Sequence, residues 1–328
     1  MPATPTAVPV SEDAVYAKVA RRIIPLLFLC YIAAYLDRVN VSFAKLQMQS
    51  DVPQISDTVF GLGTGIFFLG YFVFEVPSNI LMEKFGARLW IARIMITWGI
   101  ISIAMIFVNS AWAFYGLRLL LGFAEAGFFP GVILYLTYWF PSRRRGEMVA
   151  LFMLAIALTG VIGAPLSGWI LHEFSGASGL KGWQMLFLIE GIPSVIIGIF
   201  VPWLLANGVR SANWLSEEEK QFLERNLRAE EAHKVQLPLA GVFLNPRLIL
   251  FAVIYFCCAM GLYGTGFWIP QLIKNTGVKD PLYVGLLTAI PYGFGAVAMV
   301  VLSRSSDRSG ERRLCPGLVS GSFWHRDQ

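Results

Sequence analysis

Charge is what this sequence has least of. Of 328 residues only 14% are Asp, Glu, Lys or Arg while 56% are hydrophobic, against about a quarter charged in an ordinary soluble domain. That scarcity excludes a disordered chain and an ordinary soluble fold. Histidine is rarer still: His172, His233 and His325 are scattered, no HExxH or GxSxG pattern occurs, and Ser167 has no evident base. An intramembrane enzyme is therefore disfavoured. No glycine-rich nucleotide-binding loop is present, so no cofactor is implied. Cys30, Cys257, Cys258 and Cys315 form no CxxC pair and lie in or beside apolar segments, so neither a disulfide framework nor a zinc site follows. The formal net charge of +5 does not indicate nucleic acid, because the basic residues lie between hydrophobic runs, where membrane orientation accounts for them.

What is present is apolar sequence in long runs. Eight are countable: about Ile23 to Phe43, Val59 to Met82, Leu89 to Val108, Ala111 to Phe140, Met148 to Leu171, Trp183 to Leu205, Leu248 to Ile273 and Leu282 to Ser303. Each approaches the roughly 20 residues a helix needs to cross the hydrocarbon core. The fold class is all-α, a polytopic helix bundle in a lipid bilayer. Residues 1–22 are polar and precede no cleavage site, and read as a cytoplasmic tail. Residues 23–206 read as a six-helix N-terminal bundle, 207–247 as a cytoplasmic linker, 248–313 as an incomplete second bundle of two helices and a loop motif, and 314–328 as an aberrant tail. Basic residues mark alternate connections: Lys84 and Arg88, then Arg143, Arg144 and Arg145, then Arg304, Arg308, Arg312 and Arg313. This asymmetry puts the N-terminus in the cytoplasm of a plasma membrane, the inner membrane if the source is bacterial. Trp112, Trp139, Trp183 and Trp203 fall near span ends, as an aromatic belt requires.

The polar segment 207–247 holds six basic residues and six glutamates, and so no net charge. Ser216 followed by Glu219 is a capping-box pattern, and Leu215, Phe222 and Leu223 form a narrow apolar stripe. A solvated surface helix linking two membrane bundles is expected, with docking to a partner the alternative.

An internal repeat organises the chain. NILMEKFGAR (Asn79 to Arg88) and SRSSDRSGER (Ser303 to Arg312) both place an acid, a base, any residue and Gly after an apolar helix. Glu83, Lys84 and Gly86 match Asp307, Arg308 and Gly310 at an offset of 224, which also carries Ile24 at the start of span one onto Leu248 at the start of span seven. Two copies of a helix bundle are implied, as in transporters built from parallel repeats.

With that loop motif, ended by Arg88, and with YLDRVNVSFA (Tyr35 to Ala44), FFLGYFVFEVPSN (Phe67 to Asn79) and GLRLLLGFAEAGFFPG (Gly116 to Gly131), the sequence resembles the anion:cation symporter branch of the major facilitator superfamily. It departs from the general loop pattern at Asn79, Glu83 and Ala87. The resemblance implies secondary transport of a small organic anion, such as a sugar acid, a tartrate-like dicarboxylate or an aromatic carboxylate, together with a proton. It also implies twelve helices, so a chain with eight spans reads as truncated. The alternative is a non-transporting remnant or membrane sensor that keeps the anion-binding half. No feature sets an oligomeric state.

Charges inside a bilayer cost several kcal/mol and mark function by default. Within the spans lie Asp37, Arg38, Glu75, Arg118, Glu125 and Glu190, all before the linker. At about 1.5 Å per residue, Asp37 and Arg118 fall at one level and Glu125 about 10 Å deeper on the same face as Arg118. Arg38 and Arg118 can present planar forks to a substrate carboxylate, while Asp37 and Glu125 can exchange protons; the resemblance implies the same roles at these four positions. The competing reading is two salt bridges that only neutralise buried charge. Tyr35, one turn from Arg38, and Tyr71, mid-span, can donate to substrate hydroxyls or simply pack. Glu75 reads as structural, and Glu190 has no assigned partner. The loop motif can hold one conformation by capping the next helix and pairing with its neighbour.

Overall fold

The chain is described here by a computed structural model covering residues 11–176, 179–231 and 245–309, with backbone alone at 231, 299, 300 and 302–309. Its helices are α1 (Glu12–Asp51), α2 (Asp57–Phe85), α3 (Ala87–Ala104), α4 (Ala111–Glu125), α5 (Phe128–Thr137), α6 (Ser142–Glu173), α7 (Gly182–Leu204), α8 (Glu217–Glu231), α9 (Pro246–Asn275) and α10 (Pro281–Ser309). No strand occurs among the described residues. Eight helical stretches are long and apolar enough to cross a membrane, and they coincide with the eight apolar runs. Their outward faces carry large apolar side chains in the open, among them Phe72, Trp112, Trp203 and Phe294, a pattern costly in water and favourable against lipid.

The first helix is longer than its apolar run. α1 has 40 residues, about 60 Å at 1.5 Å per residue, twice the hydrocarbon thickness. Residues 12–22, expected as a tail, are its first turns. Glu12 and Asp13 stand in the first turn, where acids suit the helix dipole, and both pair with Arg144, at 3.1 and 2.6 Å.

The fourth span is two helices. α4 stops at Glu125 and α5 starts at Phe128, with Gly127 at φ +83° between them. A side chain at Gly127 would also strike Ser78 Oγ, 2.4 Å from the Cβ position. Only glycine satisfies both the left-handed backbone and the close approach. α2 and α4 press together without side chains between them: a Cβ on Gly122 would lie 2.2 Å from the Phe67 carbonyl oxygen, and one on Gly70 2.7 Å from that of Leu119. Small residues are what allow membrane helices to approach so closely. Other glycines in the apolar helices divide: Gly160, Gly163 and Gly168 meet Tyr292, Leu36 and the α10 backbone, whereas Gly61 and Gly65 face open space.

α8 is docked rather than solvated. The capping box forms, with Ser216 N–H donating to Glu219 at 2.8 Å and Glu219 N–H to Ser216 Oγ at 3.2 Å. Leu223 and Leu215 are buried, Phe222 packs edge-on to Tyr16, Lys18 pairs with Glu219 at 2.7 Å, and Ser142 binds Glu230. The apolar stripe therefore covers the base of α1 and the start of α6. Two of the four belt tryptophans are also interior: Trp139 stacks on Trp214, and Trp183 Nε1 donates to Asp51 at 2.9 Å, while Trp112 and Trp203 face outward.

The loop between α2 and α3 differs from expectation. Gly86, at φ +87°, turns the chain, and the N-terminus of α3 is capped by Asn207, whose Oδ1 accepts from Arg88 N–H at 3.2 Å. Glu83 and Lys84 are exposed and make no ion pair among the described residues. The second copy lies at the edge of the description: Asp307 and Arg308 are described as helical backbone, and Gly310 and the tail 314–328 lie outside the described residues.

Candidate functional site

α1, α2, α4 and α9 converge on one charged cluster. α1 supplies Arg38, α2 supplies Phe67 and Tyr71, α4 supplies Arg118 and Glu125, and α9 supplies Tyr263. Arg38 Nη2 donates to Glu125, and Nη1 donates to the Tyr263 hydroxyl at 2.6 Å. Three rings surround the Arg38 guanidinium, with centroids 5.7 Å (Phe67), 5.5 Å (Tyr71) and 5.7 Å (Tyr263) from its carbon. Arg118 lies over the same Phe67 ring, 4.6 Å from its centroid. Ring faces attract cations, so the shared Phe67 lets two guanidiniums stand near each other.

Arg118 is 1% exposed, and its Nε and Nη2 have no acceptor. Arg38 is buried too, but its charge is met by Glu125. The cluster thus holds two cations and one anion. A buried guanidinium with free donors is a costly arrangement unless something anionic completes it.

The four charges of the sequence reading are brought together in part. Arg38, Arg118 and Glu125 meet, and the long Arg38 side chain spans the depth difference that was expected to separate its level from that of Glu125. Asp37 does not join them. It turns to the opposite side of α1, where its carboxylate accepts from Trp98 Nε1 at 2.8 Å, Ser102 Oγ at 3.0 Å and Ser194 Oγ at 2.6 Å, on α3 and α7. Neighbours on an α-helix point about 100° apart, so Asp37 and Arg38 serve different faces. Tyr71 lies against Arg38 as placed above; Tyr35 is buried and edge-on to Tyr31, 6.4 Å between centroids. Glu75 is half-buried on α2, one turn beyond Tyr71 and within electrostatic reach of Arg38, although it makes no ion pair with it among the described residues. Glu190, unassigned in sequence, is buried and accepts from Ser167 Oγ at 2.6 Å.

Sequence reasoning missed Tyr263 and Phe67. For Tyr263 a signal existed, since the 224-residue offset carries it onto Val39, next to Arg38. For Phe67 there was none, because one phenylalanine among 25 is marked only by what it touches.

At one end of the bundle the second set of helices closes against the first. The Lys45 side chain is fully buried, bound to Asp57 at 2.8 Å and lying 3.8 Å from the Trp268 ring centroid. Lys274 Nζ donates to the Leu46 carbonyl at 2.5 Å, His172 meets Asp280 at 3.0 Å, and α6 and α10 touch backbone to backbone at Gly168 and Gly285.

An all-helical membrane bundle with a buried, anion-deficient cluster between its two repeats is the architecture of a solute transporter. Residues 27–323 match the Major Facilitator Superfamily, and the chain belongs to that family of membrane transporters rather than to the enzymes. It is 49% identical over 302 residues to the putative metabolite transport protein NicT of Pseudomonas putida, covering 92% of this chain and 69% of that one. It is 50% identical over 304 residues to a putative tartrate transporter of Agrobacterium vitis, again covering 92% and 69%. A crystal structure of a bacterial homologue of the human lysosomal transporter Spinster, inward-facing and occupied, superposes with a TM-score of 0.69 at 16% identity, over 94% of this chain and 64% of that one. The chain therefore spans about two thirds of the length of these relatives.

Proposed function

We propose that the chain serves proton-coupled symport of a small organic anion across a bacterial inner membrane, with its N-terminus and α8 in the cytoplasm. The observation that carries this reading is Arg118: a buried guanidinium whose Nε and Nη2 find no acceptor, beside an arginine already neutralised by Glu125. A carboxylate fits that deficit in charge and in shape, because two oxygens can take two parallel N–H donors. Tyr71 and Tyr263, against Arg38, and the buried Tyr35, one turn before it on α1, offer hydroxyls for a hydroxylated substrate.

The proton enters through charge balance. With Glu125 ionised, the cluster has one net positive charge and accepts one carboxylate. Protonating Glu125 releases Arg38 as a second binding fork, so that two arginines face two carboxylates. A tartrate-like dicarboxylate, the class to which the Agrobacterium vitis relative's name points, then binds as a neutral complex, which a low-dielectric site favours. Anion and proton help each other by the same factor, as linkage requires. Asp37 is the second proton-exchanging group, acting on α1 from its other face. In the loop motif, Gly86 and the Asn207 cap tie the α2–α3 junction to the end of α7, and Glu83, Lys84 and Gly86 with their counterparts Asp307, Arg308 and Gly310, together with Arg88, govern which conformation the two bundles hold.

Uptake of radiolabelled tartrate into proteoliposomes containing the full chain tests the reading. Accumulation driven by an inwardly directed proton gradient and abolished by a protonophore is expected. Uptake that ignores the gradient overturns the coupling, and failure of tartrate and of a sugar-acid monocarboxylate to bind overturns the anion assignment.

A further inference from the structure

A second polar cluster lies inside the N-terminal bundle, on the side of α1 turned away from Arg118. It comprises Asp37 and Asn40 of α1, Trp98 and Ser102 of α3, Ser167 of α6, and Glu190 and Ser194 of α7. Every member is buried, and Asn40 and Glu190 are each 1% exposed. Two carboxyl groups occupy this space, and no cation pairs with either one among the described residues. The charged groups facing it are these two acids and, across α1, Glu125 with its partner Arg38.

The two acids are served unequally. Asp37 accepts from Trp98, Ser102 and Ser194, and more distantly from Asn40 Nδ2 at 3.4 Å. Glu190 accepts from Ser167 through Oε1 and leaves Oε2 with nothing. The Asn40 amide, which stands beside both carboxyls, has its own orphan in Oδ1. Two orphaned acceptors in one dry cluster lack a donor, and unmade hydrogen bonds of this kind are costly. A hydrogen on Glu190 Oε2, donated to Asn40 Oδ1, satisfies both orphans at once and leaves Asn40 Nδ2 on Asp37.

We infer that Glu190 is a carboxylic acid in the resting protein, donating its proton to Asn40, and that Glu190 and Asp37 share a single occluded proton separate from the Arg38–Glu125–Arg118 anion cluster. The inference rests on the proton-coupled reading above and adds to it the place where the proton is held when the anion cluster is closed. In the exchange the Glu190 O–H bond breaks as an O–H bond forms on Asp37, leaving the carboxylate on Glu190. Neither step changes the charge of the pair. Asp37 neighbours Arg38 in the same turn and lies within electrostatic reach of Glu125, so the position of that proton acts on the anion cluster across α1.

Infrared spectra of the full chain in phosphatidylcholine vesicles near neutral pH test this without any anion. The wild type should show a protonated-carboxyl C=O band that Glu190→Gln removes. Asn40→Ala, which keeps the acid and takes away its acceptor, should retain the band and move it to higher frequency; this variant carries the test if the Gln form does not fold. A band that persists in Glu190→Gln, or that Asn40→Ala leaves in place, overturns the proposal. So does a sodium-dependent rise in Tm of the wild type that Glu190→Gln lacks, since the cluster would then be a cation site. Because no substrate is present, these outcomes are independent of tartrate uptake: loss of the band effect with coupled uptake intact rejects the shared proton only, and the converse rejects the symport reading only.

Discussion

Arg38 and Glu125 form a buried ion pair between α1 and α4, while Arg118, on the same helix as Glu125, keeps free donors beside the Phe67 ring that both arginines approach. The pair divides two arginines of equal charge into one occupied and one waiting. Which of them an anion meets first, and what a proton does to the other, follow from that asymmetry.

Arg118→Lys should weaken tartrate binding by one to two orders of magnitude although the charge is kept. A lysine ammonium cannot form two parallel N–H bonds to one carboxylate, and a hydrogen bond to a charged group is worth about 1.5–3 kcal/mol. Calorimetric titration of the variant checks this. Affinity within twofold of the wild type would return the cluster to a purely structural role.

Tartrate affinity in the wild type should rise as pH falls, because protonation of Glu125 frees Arg38 and the dianion binds the protonated form. Glu125→Gln mimics the protonated state permanently. It should bind tartrate with little dependence on pH and fail to accumulate it against a gradient. The same calorimetry across a pH series, joined to vesicle uptake, decides; a Gln variant with the wild-type profile removes Glu125 from the proton path.

Gly122→Ala should separate α2 from α4. The added Cβ would lie 2.2 Å from the Phe67 carbonyl oxygen, which is backbone and cannot swing aside. Overpacking of this kind costs about 1–3 kcal/mol, and it displaces the Phe67 ring shared by the two arginines. A lowered Tm together with lost anion binding is expected, whereas Gly61→Ala, with nothing within 4 Å of the new atom, should leave both unchanged.

Docking of α8 should be pH-sensitive on the acid side. Burial pushes the Glu219 carboxyl up, but Lys18 and the Ser216 N–H and hydroxyl outweigh it and hold the group below its ordinary value. Such a group contributes stability above the unfolded carboxyl's value, and that contribution is lost as pH falls through the folded one. The pair is partly exposed, so about 0.2–1 kcal/mol is at stake. Hydrogen exchange of the α8 amides should accelerate up to about fivefold in Glu219→Gln at neutral pH, and the difference from wild type should vanish in acid. A cysteine at Ser216 should also resist impermeant labels added outside intact cells; labelling without permeabilisation would invert the topology.

Much was legible in the sequence because lipid allows few solutions. Apolar length counts membrane crossings, since every backbone group must bond within its own helix, and all eight runs became spans. Intramembrane charge is expensive enough that each instance marks something, and Arg38, Arg118 and Glu125 did meet. Capping chemistry is local, so the Ser216–Glu219 box was readable from spacing.

What tertiary structure alone decided was facing. A helix turns about 100° per residue, so the adjacent Asp37 and Arg38 had to part, but only the hydroxyls and indole of α3 and α7 on one side and the guanidinium and carboxylate of α4 on the other determined which residue went where. The break after Glu125 and the contact of Gly122 with Phe67 likewise depend on how close α2 comes to α4. Glu190 took its place by the same rule: its neighbours Ser167 and Asn40 lie 23 and 150 residues away in a sequence whose local pattern carries no record of that distance.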